Sequence, residues 1–228
     1  MSFTEVLLPS PLPRSYTRRS VGVLAGLGII GFGDAFIVGA HLGTSPFGTV
    51  IVAISNRVGW TVGDTVILVG LLMVAIATAV TRRLPGKVAL LAPIICGTVD
   101  NLVLPHAQST GIARWFFGLA GMLIMGVGVG VYVGAGLGRA AIESIVDRIG
   151  EVTGRPMSQI MVGWQLVSLL LAVALGGKVG PLTVLFPLVI PAVAGYVLDH
   201  SPWLPANAKR VERQEKLPAF LADRTVAP

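Results

Sequence analysis

Runs of about 20 apolar residues, separated by short basic or Gly/Pro-rich breaks, dominate the chain and restrict its fold more than any other feature. No water is available inside a bilayer to bond exposed peptide groups, so such a run crosses only as a helix. Six runs have the required length: Val21–Leu42, Gly63–Val80, Lys87–Leu104, Ile112–Leu137, Met157–Leu175 and Pro181–Leu198. The run that follows Arg18 and Arg19 is longer than the apolar core of a secretory signal and has no clear cleavage site, so it reads as a true first span.

Composition agrees. Of 228 residues, 54% are hydrophobic and 12% charged, about half the charged fraction typical of soluble domains. The net charge of +6 does not point to nucleic acid, because Lys and Arg form short blocks between apolar runs instead of one basic face. The single cysteine, Cys96, excludes an intrachain disulfide and a cysteine-based metal site.

Those basic blocks set orientation through the positive-inside rule. With a cytoplasmic N-terminus, the inner segments hold Arg14, Arg18, Arg19, Arg82, Arg83, Lys87, Arg139, Arg148, Arg155, Lys209, Arg210, Arg213, Lys216 and Arg224. The outer segments hold Arg57, Arg114 and Lys178. The split of 14 to 3 supports six spans with both termini cytoplasmic in an inner membrane. Trp60 and Trp115 fall at the outer interface and Trp203 at the inner one, as aromatic belts do.

Two segments are too short to span. Ser45–Val58 follows the first run and Arg139–Thr153 follows the fourth. The second is amphipathic, with Ile142, Ile145, Val146, Ile149 and Val152 on one helical face. Both read as interfacial or re-entrant helices.

The chain also repeats itself at an offset of 95 residues. Phe36–Gly43 (FIVGAHLG) aligns with Val131–Gly138 (VYVGAGLG), Gly31 with Gly126, Gly33 with Gly128 and Gly59 with Gly154. Each half therefore reads as span, short helix, span, span. Three spans is an odd number, so two such halves face opposite ways across the bilayer, the inverted-repeat design of many secondary transporters. The expected fold is an all-α membrane protein of about six transmembrane helices in two inverted three-helix repeats, 21–105 and 106–199. A cytoplasmic segment, 1–20, precedes them, and a flexible cytoplasmic tail, 200–228, follows. Small residues recur every four positions at Gly31, Ala35, Gly39 and Gly43, and again at Gly126, Gly130, Gly134 and Gly138. These read as helix-packing ridges.

The elements GAHLGTSPF (Gly39–Phe47), GAGLG (Gly134–Gly138) and GTVDNL (Gly97–Leu102) resemble the YczE/YyaS/YitT family of bacterial membrane proteins, in its YczE-like branch. The resemblance covers Gly22 to Asp199 and implies architecture more than activity. In that family an acid usually follows the Ser-Pro-aromatic element. Gly48 stands there in this chain, while Glu143 keeps an acid at the corresponding place in the second half.

Charged groups at bilayer depth cost free energy and mark functional candidates. Asp34 lies inside the first span and Asp100 near the outer end of the third, followed by Asn101, at similar depth. His41 and His106 sit at the outer ends of the same two spans. Thr44 or Ser45, before Pro46, suits an N-cap whose helix end could receive an anion. The candidate substrate or ion pathway is therefore Asp34, His41, Thr44, Ser45, Asp100, Asn101 and Glu143. No metal-ligand spacing, nucleophile–base pair or phosphate loop is present, so neither a metal, a cofactor nor an enzyme is expected. The expected function is transport or binding of a small solute. The competing expectation is an accessory or regulatory membrane protein that transports nothing. Expected partners are the lipid bilayer, a small solute or ion, and a second copy or another membrane subunit.

Overall fold

The computed structural model describes residues 14–82, 86–137 and 140–201. Among these, every regular element is helical: α1 (Arg14–Gly39), α2 (Pro46–Val58), α3 (Val62–Thr81), α4 (Lys87–Val103), a 3₁₀ turn (Leu104–His106), α5 (Ala113–Ala135), α6 (Ala141–Thr153), α7 (Met157–Ala174) and α8 (Pro181–His200). Five of them, α1, α3, α4, α5 and α8, are long and apolar enough to cross a membrane; α7 is a shorter apolar helix. The outer surface is hydrocarbon, with Leu102, Phe116, Leu170 and Val184 each about two thirds or more exposed. A water-soluble fold would bury such side chains, whereas a bilayer solvates them. Arg83, Gly138, Arg139, Trp203 and the segments 1–13 and 202–228 lie outside the described residues.

Local chemistry sets the helix boundaries. Ser45 Oγ accepts from Gly48 N at 2.8 Å, and Pro46 occupies the first turn of α2, where its missing N–H is no loss. Gly59 ends α2 in the left-handed conformation, and Gly154 ends α6 in the same way. Thr61 caps α3 by accepting from Asp64 N at 3.1 Å.

α1 and α5 form the centre. A methyl group added to Gly26 would meet the backbone of Tyr132 and Gly128, and one added to Gly33 would meet Met125 and Gly121. As α1 advances, its partner residues on α5 descend, so the pair is antiparallel. α4 flanks α1 in parallel, with Gly31 against Cys96 and Val99 and Gly39 against Ala107. α8 flanks α5 in the same manner, with Gly126 against Val193 and Ile190, and Gly130 against Val197 and Ala194. α3 runs antiparallel along α4, Gly63 meeting Gly97 and Gly70 meeting Pro93.

The short helices then cross over, α2 packing on α7 and α6 on α3. Ile37, Leu42, Met122, Leu182 and Phe186 form the core at one end. Val23, Leu27, Val88 and Tyr132 form it at the other. α7 touches α2 and α6 but does not pack along α8.

The expected ridges are corrected in one respect. Gly31, Gly39, Gly126 and Gly130 are helix-packing residues, and Gly134 is buried in α5. Gly43 is not: α1 stops at Gly39, His41 adopts φ 53° and Gly43 φ 95°, so Gly43 is a turn residue pressed against Gly180 and Thr183. The ridge continues in sequence beyond the end of the helix that would display it.

Candidate functional site

The close crossing of α1 and α4 at Gly31 carries the site. A Cβ at Gly31 would lie 2.9 Å from Cys96 O and 3.0 Å from Val99 Cβ, so the two backbones nearly touch. One turn further along each of these parallel helices stand Asp34 and Asp100. They lie within Coulombic reach of each other, and Cys96 lies within reach of both. Asp100 is 1% exposed, and neither of its carboxylate oxygens has a hydrogen-bond partner. Asp34 is half-buried. Cys96 Sγ is already engaged, donating to Leu27 O at 3.4 Å.

Two carboxyl groups so placed in an apolar surround require a counter-charge. Among the described residues, no Lys, Arg or His is hydrogen-bonded to Asp100. The groups able to neutralise them are a proton on either acid or a cation held by their oxygens. The arrangement suits reversible capture of a positive charge.

The other sequence candidates do not converge on this pair. Asn101 Nδ2 donates to Asp64 Oδ1 at 2.8 Å, which commits Asn101 to tying α4 to α3. Asp64 is thus a cross-link, and the cap of α3 is Thr61. His41 is exposed and bonds Gln108 Oε1 through Nε2 at 2.6 Å. His106 is exposed and bonds Leu102 O through Nδ1 at 3.2 Å. Ser45 is the cap of α2. Thr44 is buried beside it with an unpartnered hydroxyl. Glu143 Oε2 accepts from Ala140 N at 3.3 Å, closing the first turn of α6.

Two features escaped sequence reasoning. One is the Gly26–Gly33 notch facing Gly121 and Gly128, whose members are seven residues apart and so lie outside the ridges of every fourth residue. The other is a cavity of about 550 Å³ between α6 and α7, lined by Val146, Ile149, Ile160 and Trp164 and bordered by Arg155 and Gln159. Its lining comes from α6, α7 and the link between them, so it exists only once those two helices are set side by side.

Residues 17–197 match a family of unknown function (DUF6198). The chain is 34% identical over 181 residues to the uncharacterized membrane protein YczE of Bacillus subtilis, a match that covers 78% of this chain and 84% of the relative. It is 25% identical over 171 residues to the uncharacterized protein YyaS of the same organism, covering 72% and 83%. It is 26% identical over 187 residues to an uncharacterized protein of Haemophilus influenzae, covering 80% and 84%. No solved structure matches the chain.

Proposed function

This chain belongs to the family of unknown function DUF6198, and on that premise we propose that it is a small-solute transporter of inverted-repeat design, coupled to a proton or cation held by Asp34 and Asp100. The observation that carries this reading is the pair of unpartnered carboxylate oxygens on Asp100, deep in the helix bundle and beside a second acid. A carboxylate with no partner at bilayer depth is costly unless it serves a mobile charge.

The inverted repeat has its own support. α2 and α6 share their bounds at the 95-residue offset, Pro46–Val58 against Ala141–Thr153, and α3 and α7 share their starts, Val62 and Met157. The α1–α4 crossing at Gly31, Cys96 and Val99 recurs between α5 and α8 at Gly126, Ile190 and Val193. The corresponding helices α1 and α5 run antiparallel, the relation that two halves of opposite sense require. At the second crossing Val129 and Ala194 stand where Asp34 and Asp100 stand at the first. The charge site therefore belongs to one half, and the other half offers an apolar counterpart. On this reading both termini face the cytoplasm.

Wild-type protein reconstituted in liposomes and incubated with a defined metabolite mixture under an imposed proton or Na⁺ gradient should accumulate at least one solute. Mass spectrometry of the washed liposomes reads that accumulation. Asp34→Asn, inserted and folded to the same extent, should abolish it. No accumulated solute, or equal accumulation by the variant, would remove the transport reading.

A further inference from the structure

We infer that the cavity between α6 and α7 is a binding site for an anionic phospholipid, the acyl chain lying along the apolar wall and the headgroup meeting Arg155. The inference requires only that the chain sits in a bilayer, and it does not depend on transport. At about 550 Å³ the cavity falls within the roughly 300–1,000 Å³ of ordinary ligand sites. Its walls are Val146 and Ile149 from α6 and Ile160, Trp164 and Val167 from α7.

The loose docking of α7 on α8 is written into the sequence, and it leaves α7 held chiefly by α2 and α6, with the cavity on its α6 side. In the first half, Asn101 bonds Asp64 and Gly63 interlocks with Gly97, which draws α3 onto α4. Between α4 and α8 the offset is 94, as Cys96 with Ile190 and Val99 with Val193 set it, so at the corresponding positions of the second half stand Gly195 and Gln159, and Ser158 and Pro191. Neither the hydrogen bond nor the glycine interlock can form there, so α7 stands away from α8. Gly163 enlarges the opening: nothing lies within 4 Å of a Cβ built on it. Its counterpart in the first half is Leu68.

Charge selects the occupant. Arg155 borders the cavity, is exposed, and has no acid partner among the described residues. The acid one turn before it, Glu151, is already paired with Arg148 at 3.0 Å. A free guanidinium at the rim of a lipid-accessible apolar cleft complements a phosphate-bearing anionic headgroup, which it can bind with two parallel hydrogen bonds. A neutral solute would leave that charge unused.

Trp164 reports on the site. In full-length protein carrying Trp60→Phe, Trp115→Phe and Trp203→Phe, reconstituted in phosphatidylcholine, a minor fraction of brominated phosphatidylglycerol should quench Trp164 more than an equal fraction of brominated phosphatidylcholine. The excess should correspond to an apparent affinity about fivefold higher, the effect of one basic side chain near an anionic surface. Arg155→Gln should erase the excess, and Gly163→Leu should reduce quenching by both lipids. Native mass spectrometry of wild-type protein should likewise retain phosphatidylglycerol adducts that Arg155→Gln loses. Equal quenching by the two lipids, or an excess and adducts that survive Arg155→Gln, would overturn the proposal.

Discussion

Asp100 has no hydrogen bond to lose, whereas its neighbour Asn101 has one. The two adjacent residues should therefore respond oppositely to removal of a polar group. Asp100→Asn is expected to unfold in detergent at a temperature no lower than wild type. Asn101→Ala breaks the 2.8 Å bond to Asp64 and should cost about 0.5–1.5 kcal/mol. A thiol-independent thermal unfolding assay reads both, and a large loss of stability in Asp100→Asn would reveal a partner that the geometry lacks. Asp34 and Asp100 were legible in the sequence because a charge in an apolar run is conspicuous at any depth. Their proximity was only partly legible: similar depth follows from the rise per residue, but the approach of the two helices depends on Gly31 admitting α4. The directions of His41 and Asn101 were not legible, because depth says nothing about azimuth. Asn101 points to α3, and His41 follows the end of α1 in a left-handed conformation that sends it to Gln108.

Among the elements, the glycines of α1 provide a matched test. Gly33 faces α5, and a Cβ there would stand 2.6 Å from Met125 N, whereas nothing lies within 4 Å of one on Gly28. Gly33→Ala should destabilise by about 1–3 kcal/mol, as overpacking does. Gly28→Ala should be neutral or slightly stabilising, since Ala is the better helix former. Size-exclusion profiles after a heating series separate the two; equal behaviour would contradict the antiparallel α1–α5 pairing. Element boundaries were the most readable part of this fold. Ser45-Pro46, Gly59 and Gly154 are local signals whose action needs no tertiary information, and α2, α6 and the spans begin or end within a few residues of where those signals put them. Thr61 caps α3, whereas Asp64, the more charged residue, lies one turn too late to do so. The weak docking of α7 was not readable, because it results from pairwise losses at Gln159, Pro191 and Gly195 that matter only once α7 and α8 are set side by side.

For the molecule as a whole, the proposed orientation places Arg82 and Arg155 on one side of the membrane and Trp60 and Lys178 on the other. All four are exposed. Single cysteines at these positions, in a Cys96→Ala background, should react with an impermeant maleimide as two pairs: 60 and 178 in intact cells, 82 and 155 only after the membrane is opened. Labelling that separated 82 from 155 would dismantle the opposed-halves reading.

The order in which the helices find their partners also bears on how the protein is made. The main partner of α1 is α5 and that of α2 is α7, while α3 packs chiefly on α4 and secondarily on α6. During synthesis the glycine notch of α1 must therefore wait in the lipid, unfilled, until Ala113 and the residues after it have left the ribosome. The packing of α4 on α1 and α3 is available early, whereas the α1–α5 and α2–α7 packing forms only late in translation, so the fold is completed near the end of synthesis.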